Sequence, residues 1–267
     1  MCRDCGCGKP SRNETVGHDH GHGHTHEHLH AAMGADHEHH GGRAINVERS
    51  LVELNDHLAM HNRERFVEEG VTVLNMMSSP GAGKTRLLER TLDDLGSTLQ
   101  MAVITGDLET ENDAVRLRGR GATVIPVTTG TMCHLDAHLV CHACEKLDLG
   151  RLDVLFIENV GNLVCPASFD LGEQLRVVLM SVTEGEDKPL KYPPMFKLAD
   201  VVLLTKSDLT EPAGFDRVAA VANIHRVAPQ AELIEVSART GTGLERWYEY
   251  LERHISAKSA ITHLSKG

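Results

Sequence analysis

Ser78-Ser79-Pro80-Gly81-Ala82-Gly83-Lys84-Thr85 carries the strongest chemical signal in the chain. Around Pro80, Gly81, Ala82 and Gly83 the backbone N–H groups can curl about phosphates, Lys84 brings an ammonium to the outer ones, and the Thr85 hydroxyl can ligate Mg²⁺. The strict motif has Gly where Ser78 stands. An apolar run before the loop and a helical pattern after it supply the strand–loop–helix context that phosphate binding requires.

Two more segments extend this reading from phosphate to base. Thr205-Lys206-Ser207-Asp208 follows an apolar run, where guanine-selective proteins carry Asn-Lys-x-Asp. A carboxylate at Asp208 can accept both N1–H and the exocyclic amine of guanine, donors that adenine does not offer, while the Lys206 stem can lie along the base. Ser237-Ala238-Arg239 fits the later loop that offers backbone N–H to the base oxygen. Two carboxylates are placed to act on water and Mg²⁺. Glu158 ends a hydrophobic run and precedes Gly161 by three residues, as in an Asp-x-x-Gly switch with Glu in place of Asp, and Asp107 ends another such run. The expected catalytic set is therefore Lys84, Asp107 and Glu158, with Mg²⁺ on Thr85, Asp107 and Glu158. Neighbouring Glu109 and Glu111 are equally well read as solvated side chains.

Thiols and imidazoles form a second constellation. Cys2, Cys5 and Cys7 can wrap one ion with soft donors suited to Ni²⁺, Zn²⁺ or Cu⁺ rather than Mg²⁺ or Ca²⁺. From His18 to His28 every second residue is His, a pattern for weak, multiple, exchanging metal binding. Further on, Cys133 and His134 open a predicted helix and Cys165 lies four residues past Gly161, so the three can converge at the nucleotide-facing edge. In that helix His134, His138 and His142 recur at i, i+4 and i+8 on one face. His138 and His142 are either ligands or a solvated face; Cys141 and Cys144 read as small buried hydrophobes.

The elements that must position these groups follow from periodicity. Short apolar runs at 71–77, 101–105, 123–127, 154–157, 177–182, 201–205 and 233–236 predict buried strands. Helical patterns at 84–95, 113–120, 133–147, 215–227 and 244–254 lie between or after them, and an amphipathic helix is predicted from Val47 to about Phe66. Such alternation predicts an α/β fold with a mostly parallel sheet flanked by helices on both faces, and ligands at the carboxyl ends of the strands. Residues 1–44 have almost no large apolar side chains to offset the entropy of folding, so they are expected to be a disordered Cys/His-rich arm ahead of a nucleotide-binding domain over 45–267.

Composition narrows the partners. The chain of 267 residues has a net charge of −11 and is 41% hydrophobic, which argues against nucleic acid and against an anionic membrane surface. No apolar run approaches the roughly 18 residues of a membrane span, and the first residues lack a secretory h-region. The seven cysteines are an odd number in tight sets, as in metal binding within a reducing compartment, and a cytoplasmic location is expected.

Together these motifs resemble the HypB family of nickel-incorporation GTPases that serve nickel–iron hydrogenase maturation. The resemblance spans about residues 48–253 and is most specific over 156–172, from Phe156-Ile157-Glu158-Asn159-Val160-Gly161 to Phe169-Asp170-Leu171-Gly172, and over Ser181-Val182-Thr183-Glu184-Gly185-Glu186-Asp187-Lys188-Pro189. It implies a P-loop GTPase of the SIMIBI class, slow on its own, that hydrolyses GTP with Mg²⁺ and forms a homodimer under nucleotide or metal control. It also implies a nickel or zinc site on Cys133, His134 and Cys165 at the dimer interface, and a separate nickel site on Cys2, Cys5 and Cys7. The implied partners are a HypA-type nickel donor and the hydrogenase large-subunit precursor. Release of Gly161 on hydrolysis would move Cys165, so metal binding should follow the nucleotide state.

Three alternatives compete. A urease-type nickel-insertion GTPase shares the fold class, but the Cys133–Cys165 set favours the hydrogenase system. A nickel-storage protein with an uncoupled nucleotide site is opposed by intact Lys84, Thr85 and Asp208. An ATP-dependent small-molecule kinase is disfavoured by the Asp208 motif.

Overall fold

The computed structural model describes residues 41–109 and 111–264, with side chains over 51–109 and 111–255. Cys2, Cys5, Cys7 and the His-rich run lie outside the described residues. The chain divides into units at 1–40 and 41–267, and the second holds every element below.

Seven strands form one sheet: β1 (Thr72–Ser78), β2 (Met101–Asp107), β3 (Thr123–Thr128), β4 (Val154–Glu158), β5 (Leu175–Ser181), β6 (Val201–Thr205) and β7 (Glu232–Val236). Their order is β3-β2-β4-β1-β5-β6-β7 and all six ladders are parallel. Every residue of β1, β4 and β6 is buried, which explains why these strands read as unbroken apolar runs rather than as alternation. The helices are α1 (Gly41–Glu68), α2 (Lys84–Leu95), α3 (Asn112–Leu117), α4 (Ala137–Cys144), α5 (Lys188–Lys191), α6 (Pro193–Lys197), α7 (Arg217–Val227) and α8 (Leu244–Leu264). α1 starts inside the segment that the sequence reading gave to the arm. Among the described residues no helix is long and apolar enough to cross a membrane.

Period-two alternation sends neighbouring strand residues into cores on opposite faces. Leu74, Met76, Val103 and Phe156 pack with Leu87, Leu88 and Trp247 of α2 and α8. Val73, Ile104, Leu155 and Ile157 pack on the other face with Phe66 and Val140 of α1 and α4, while Val178, Met180 and Val202 meet Phe196 and Ile224 of α6 and α7. The expected sheet with helices on both faces is therefore found, and it is entirely parallel.

Two predicted helices are shorter than periodicity indicated. Arg118 is extended (φ −61°, ψ 141°), which ends α3 at Leu117 instead of residue 120. Asp136 is extended as well, and its carboxylate accepts the Leu139 N–H, so α4 starts at Ala137 and not at residue 133. Cys133 and His134 consequently sit in the loop before α4, and His134 does not share a helix face with His138 and His142.

α1 is fixed by polar contacts as well as by apolar packing. Buried Asn62 donates to the carbonyls of Ala137 (2.9 Å) and Leu171 (3.1 Å). Asn55 donates to Asp170 O (2.8 Å) and accepts from Ala137 N (2.9 Å). Gly172 has φ +89°, and a Cβ there would lie 2.6 Å from Ala59 O, so only glycine lets α1 approach this closely. α1 thus holds the start of α4 and the loop through Asp170 in one arrangement.

Candidate nucleotide and metal site

Parallel strands bring their carboxyl ends to one edge, and there β1, β4 and the start of α2 build a cavity of about 560 Å³ lined by Pro80, Lys84, Thr85, Asp107, Glu158 and Gly161. Lys84 Nζ donates to Ser78 Oγ at 2.9 Å. The departure from glycine at residue 78 therefore supplies a resting partner for the lysine. Thr85 Oγ1 donates to Glu158 Oε1 at 2.7 Å, whereas Glu158 Oε2 is buried with no hydrogen-bond partner. Burial pushes the Glu158 carboxyl up to about 7 despite the pull of Lys84 and Thr85. Burial likewise lowers the Lys84 ammonium, against the opposing attraction of Glu158. An orphaned carboxylate oxygen beside a threonine hydroxyl, with Asp107 on the same wall, is a donor set that fits Mg²⁺.

Sequence reasoning missed Asp113 and Arg116, which line the same cavity from α3. No motif carries them; they arrive because α3 follows β2 at the sheet edge. Of the two doubtful carboxylates, Glu111 pairs with Arg118 (2.9 Å), and Glu109 is exposed. Ser79, on the loop, donates to Glu184 Oε2 at 2.6 Å, a second contact without a signature of its own.

A second cavity, of about 480 Å³, opens beside Ala82 and Gly83 and is walled by Thr205, Lys206, Asp208, Ser237 and Ala238. Asp208 is held by Ser237 Oγ (2.5 Å) and Arg239 Nε (2.9 Å), contacts that keep its carboxyl below the ordinary range. Each carboxylate oxygen has two lone pairs, so both remain able to accept donors from a base. Lys206 has φ 56°, and among the described residues it is the one non-glycine with positive φ. Thr205 Oγ1 donates to Ala82 O at 2.7 Å, so threonine in the usual asparagine position fastens the base-facing loop to the phosphate loop.

The metal-ligating trio converges. Cys133 Sγ and Cys165 Sγ are 2.9 Å apart, and ligand atoms of Cys133, His134 and Cys165 all lie within 4.8 Å of one another. His134 stacks on Phe169 (centroids 3.9 Å), its Nδ1 is buried without a partner, and burial lowers its pKa, which favours the neutral imidazole that a metal needs. The adjacent Cys165 thiol raises the pKa of Cys133. Two thiols and a neutral imidazole suit Ni²⁺ or Zn²⁺. Cys141 and Cys144 are buried in α4, and burial pushes the Cys144 thiol up to about 12, as expected of small core residues.

Asparagines connect the two halves. Asn159, next to Glu158, accepts from Leu135 N (3.1 Å) and from Val160 N (2.9 Å). Asn162 donates to Cys133 O at 3.2 Å. Between them Gly161 lies against the phosphate loop, and a Cβ there would be 3.0 Å from Pro80 Cα. The segment from Glu158 to Cys165 therefore touches phosphate loop, metal loop and thiol within eight residues.

Comparison with known proteins agrees with this geometry. The family profile described as the CobW/HypB/UreG nucleotide-binding domain matches residues 72–235. The hydrogenase maturation factor HypB of Rhizobium leguminosarum bv. viciae is 53% identical over 210 residues, covering 79% of this chain and 70% of that protein. Crystal structures of HypB from Archaeoglobus fulgidus (TM-score 0.71, 75% of this chain and 98% of that one) and of HypB from Helicobacter pylori in complex with nickel (TM-score 0.73, 76% and 95%) are each 40% identical.

Proposed function

The chain belongs to the HypB family of hydrogenase maturation factors, and on that premise we propose that it is a GTP-hydrolysing nickel metallochaperone whose metal affinity follows its nucleotide state. The observation that carries the proposal is the contact of Gly161 with Pro80, four residues before a thiol that meets Cys133.

In this reading guanine enters the cavity at Asp208 and Ser237, and Lys84 exchanges Ser78 Oγ for phosphate oxygens. Thr85, Glu158 and Asp107 hold Mg²⁺, which when bound neutralises charge on the outer phosphates. Asp107 orients the attacking water, and the Gly161 N–H faces the γ-phosphate. Loss of that phosphate frees Gly161, the segment to Cys165 relaxes, and the pair with Cys133 opens. Ni²⁺ is the cargo of the trio; Zn²⁺, with the same donor preferences, is its competitor. Cys2, Cys5 and Cys7 form the separate outer nickel site. The cargo passes from a HypA-type donor through a homodimer to the hydrogenase large-subunit precursor in the cytoplasm.

GTP turnover by the full chain is the test. Phosphate release should require Mg²⁺, should prefer GTP to ATP, and should fall at least 100-fold in Lys84→Ala, as expected when a charge on the transferring phosphoryl group is lost. Equal use of ATP, or turnover that survives Lys84→Ala, would refute the reading.

A further inference from the structure

One guanidinium on the wall of the phosphate cavity has no part in the chemistry so far. Arg116 of α3 lines that cavity with Lys84, Asp107, Glu158 and Gly161 and does not line the base cavity, whereas Arg86 lines both. Arg116 therefore stands at the end that receives the outer phosphates, away from the nucleoside. Its charge also reaches Glu158, where it opposes the burial that raises that carboxyl.

The side chain is held there from behind. Arg116 Nε and Nη2 donate to the two oxygens of Glu89 at 3.3 and 3.1 Å, a fork on a carboxylate that is 6% exposed. Glu89 lies one turn after Thr85 on α2, so the fork is anchored on the helix that carries Lys84 and Thr85. Arg116 Nη1 faces Asp113 Oδ1 at 3.5 Å, the outer limit of a hydrogen bond. A guanidinium has five N–H groups, and Glu89 takes two of them. The others point to an anion, and phosphate oxygens match their planar geometry.

We propose that Arg116 is a catalytic arginine supplied in cis, whose free N–H groups bond the transferring phosphoryl group of GTP from a position held before the nucleotide arrives. The inference rests on the GTPase reading above. In hydrolysis the water oxygen bonds the γ-phosphorus while the bond from that phosphorus to the β–γ bridging oxygen breaks, and its electron pair passes to GDP. One water proton stays on inorganic phosphate and the other leaves to solvent. Negative charge gathers on the bridging and γ-oxygens during this step, and a guanidinium already in place stabilises it without reorganisation.

The test compares GTP turnover and GDP binding with Mg²⁺ in the full parent chain, Arg116→Ala, Arg116→Lys and Lys84→Ala. In Arg116→Ala the buried Glu89 keeps Arg86 (2.8 Å) and Arg120 (3.4 Å), so its carboxylate is not orphaned. Arg116→Lys keeps the charge but loses the fork, and it decides the matter where the alanine variant does not fold. The expected result is a fall in kcat of at least about tenfold in both variants, with affinity for GDP within about threefold of the parent. A smaller fall in kcat, with Lys84→Ala inactive, would overturn the proposal and leave the GTPase reading standing. Equal losses of kcat and GDP affinity would also overturn it, since Arg116 would then serve only to shape the wall. Absence of GTP turnover in the parent would refute that reading and this inference together.

Discussion

Gly161 lies so close to Pro80 that a Cβ on it would stand 3.0 Å from Pro80 Cα and 3.1 Å from Pro80 N. The contact is backbone against backbone, so no flexible side chain can yield. One residue on, Asn162 donates to Cys133 O at 3.2 Å, so adjacent residues face the phosphate loop and the metal loop.

Gly161→Ala should therefore impair turnover without unfolding the chain. Misplacing a catalytic segment by about 1 Å costs on the order of 100-fold. We expect kcat for GTP to fall about 10- to 100-fold, with thermal melting of the nucleotide-free protein changed little. Steady-state kinetics and calorimetry check both.

Glu158→Gln separates catalysis from stability. Turnover should drop roughly 100- to 1,000-fold, since the substitution removes charge from the phosphate cavity. Stability should move the opposite way. Glu158 is raised to about 7 in the folded protein, so the folded state binds the proton more tightly than the unfolded one, and stability is lost as pH rises from the ordinary carboxylate range through 7. The glutamine variant lacks that loss, so its advantage should grow from about pH 4.5 to 7 and level off, reaching roughly 3 kcal/mol. Denaturant melts across that range measure it.

Asp208→Asn should relax base choice. Asparagine keeps one acceptor oxygen and loses the other, and one lost bond to a charged group costs about 1.5–3 kcal/mol, or roughly 10- to 150-fold in KM for GTP. Turnover of ATP should change little. Competition between GTP and ATP gives the ratio directly.

How much of this was legible in the residues depended on whether a group acts through its own motif. Pro80 to Thr85 could be read because glycine conformations and a terminal lysine are demanded by phosphate itself. Glu158 was found because it ends an apolar strand, and Asp208 because Thr205-Lys206-Ser207-Asp208 follows one. The start of α4 was misplaced because periodicity continues back through Leu135, although Asp136 followed by Ala137 is a capping signal that could have marked it. Asn55 and Asn62 left no signal, and Asn159 and Asn162 entered only as members of the stretch 156–172, since the role of a buried amide is recognisable only once the backbone groups that it satisfies are in place. Thr205 looked like a departure from a motif, yet its hydroxyl bonds Ala82 O.

Asn62→Ala tests the scaffold role of α1. Two buried carbonyls lose their donor, at a cost of roughly 1–3 kcal/mol each, so the melting midpoint in denaturant should fall accordingly. Nickel affinity of the inner trio should weaken more than GTP turnover, because Ala137 and Leu171 flank the metal loop and not the phosphate loop. Parallel loss of both activities would point to general destabilisation.

The most direct test of nucleotide-gated nickel binding is Ni²⁺ affinity at the trio in the two nucleotide states. In a chain carrying Cys2→Ser, Cys5→Ser and Cys7→Ser, thiolate-to-nickel absorption reports on Cys133 and Cys165. With Mg²⁺ present, affinity should differ at least fivefold between GDP and a non-hydrolysable GTP analogue, and by linkage Ni²⁺ should shift the affinity for the analogue relative to GDP by the same factor. Cys165→Ala should abolish the difference. Equal affinity in both states would contradict the account and leave the metal site and the GTP site independent of each other.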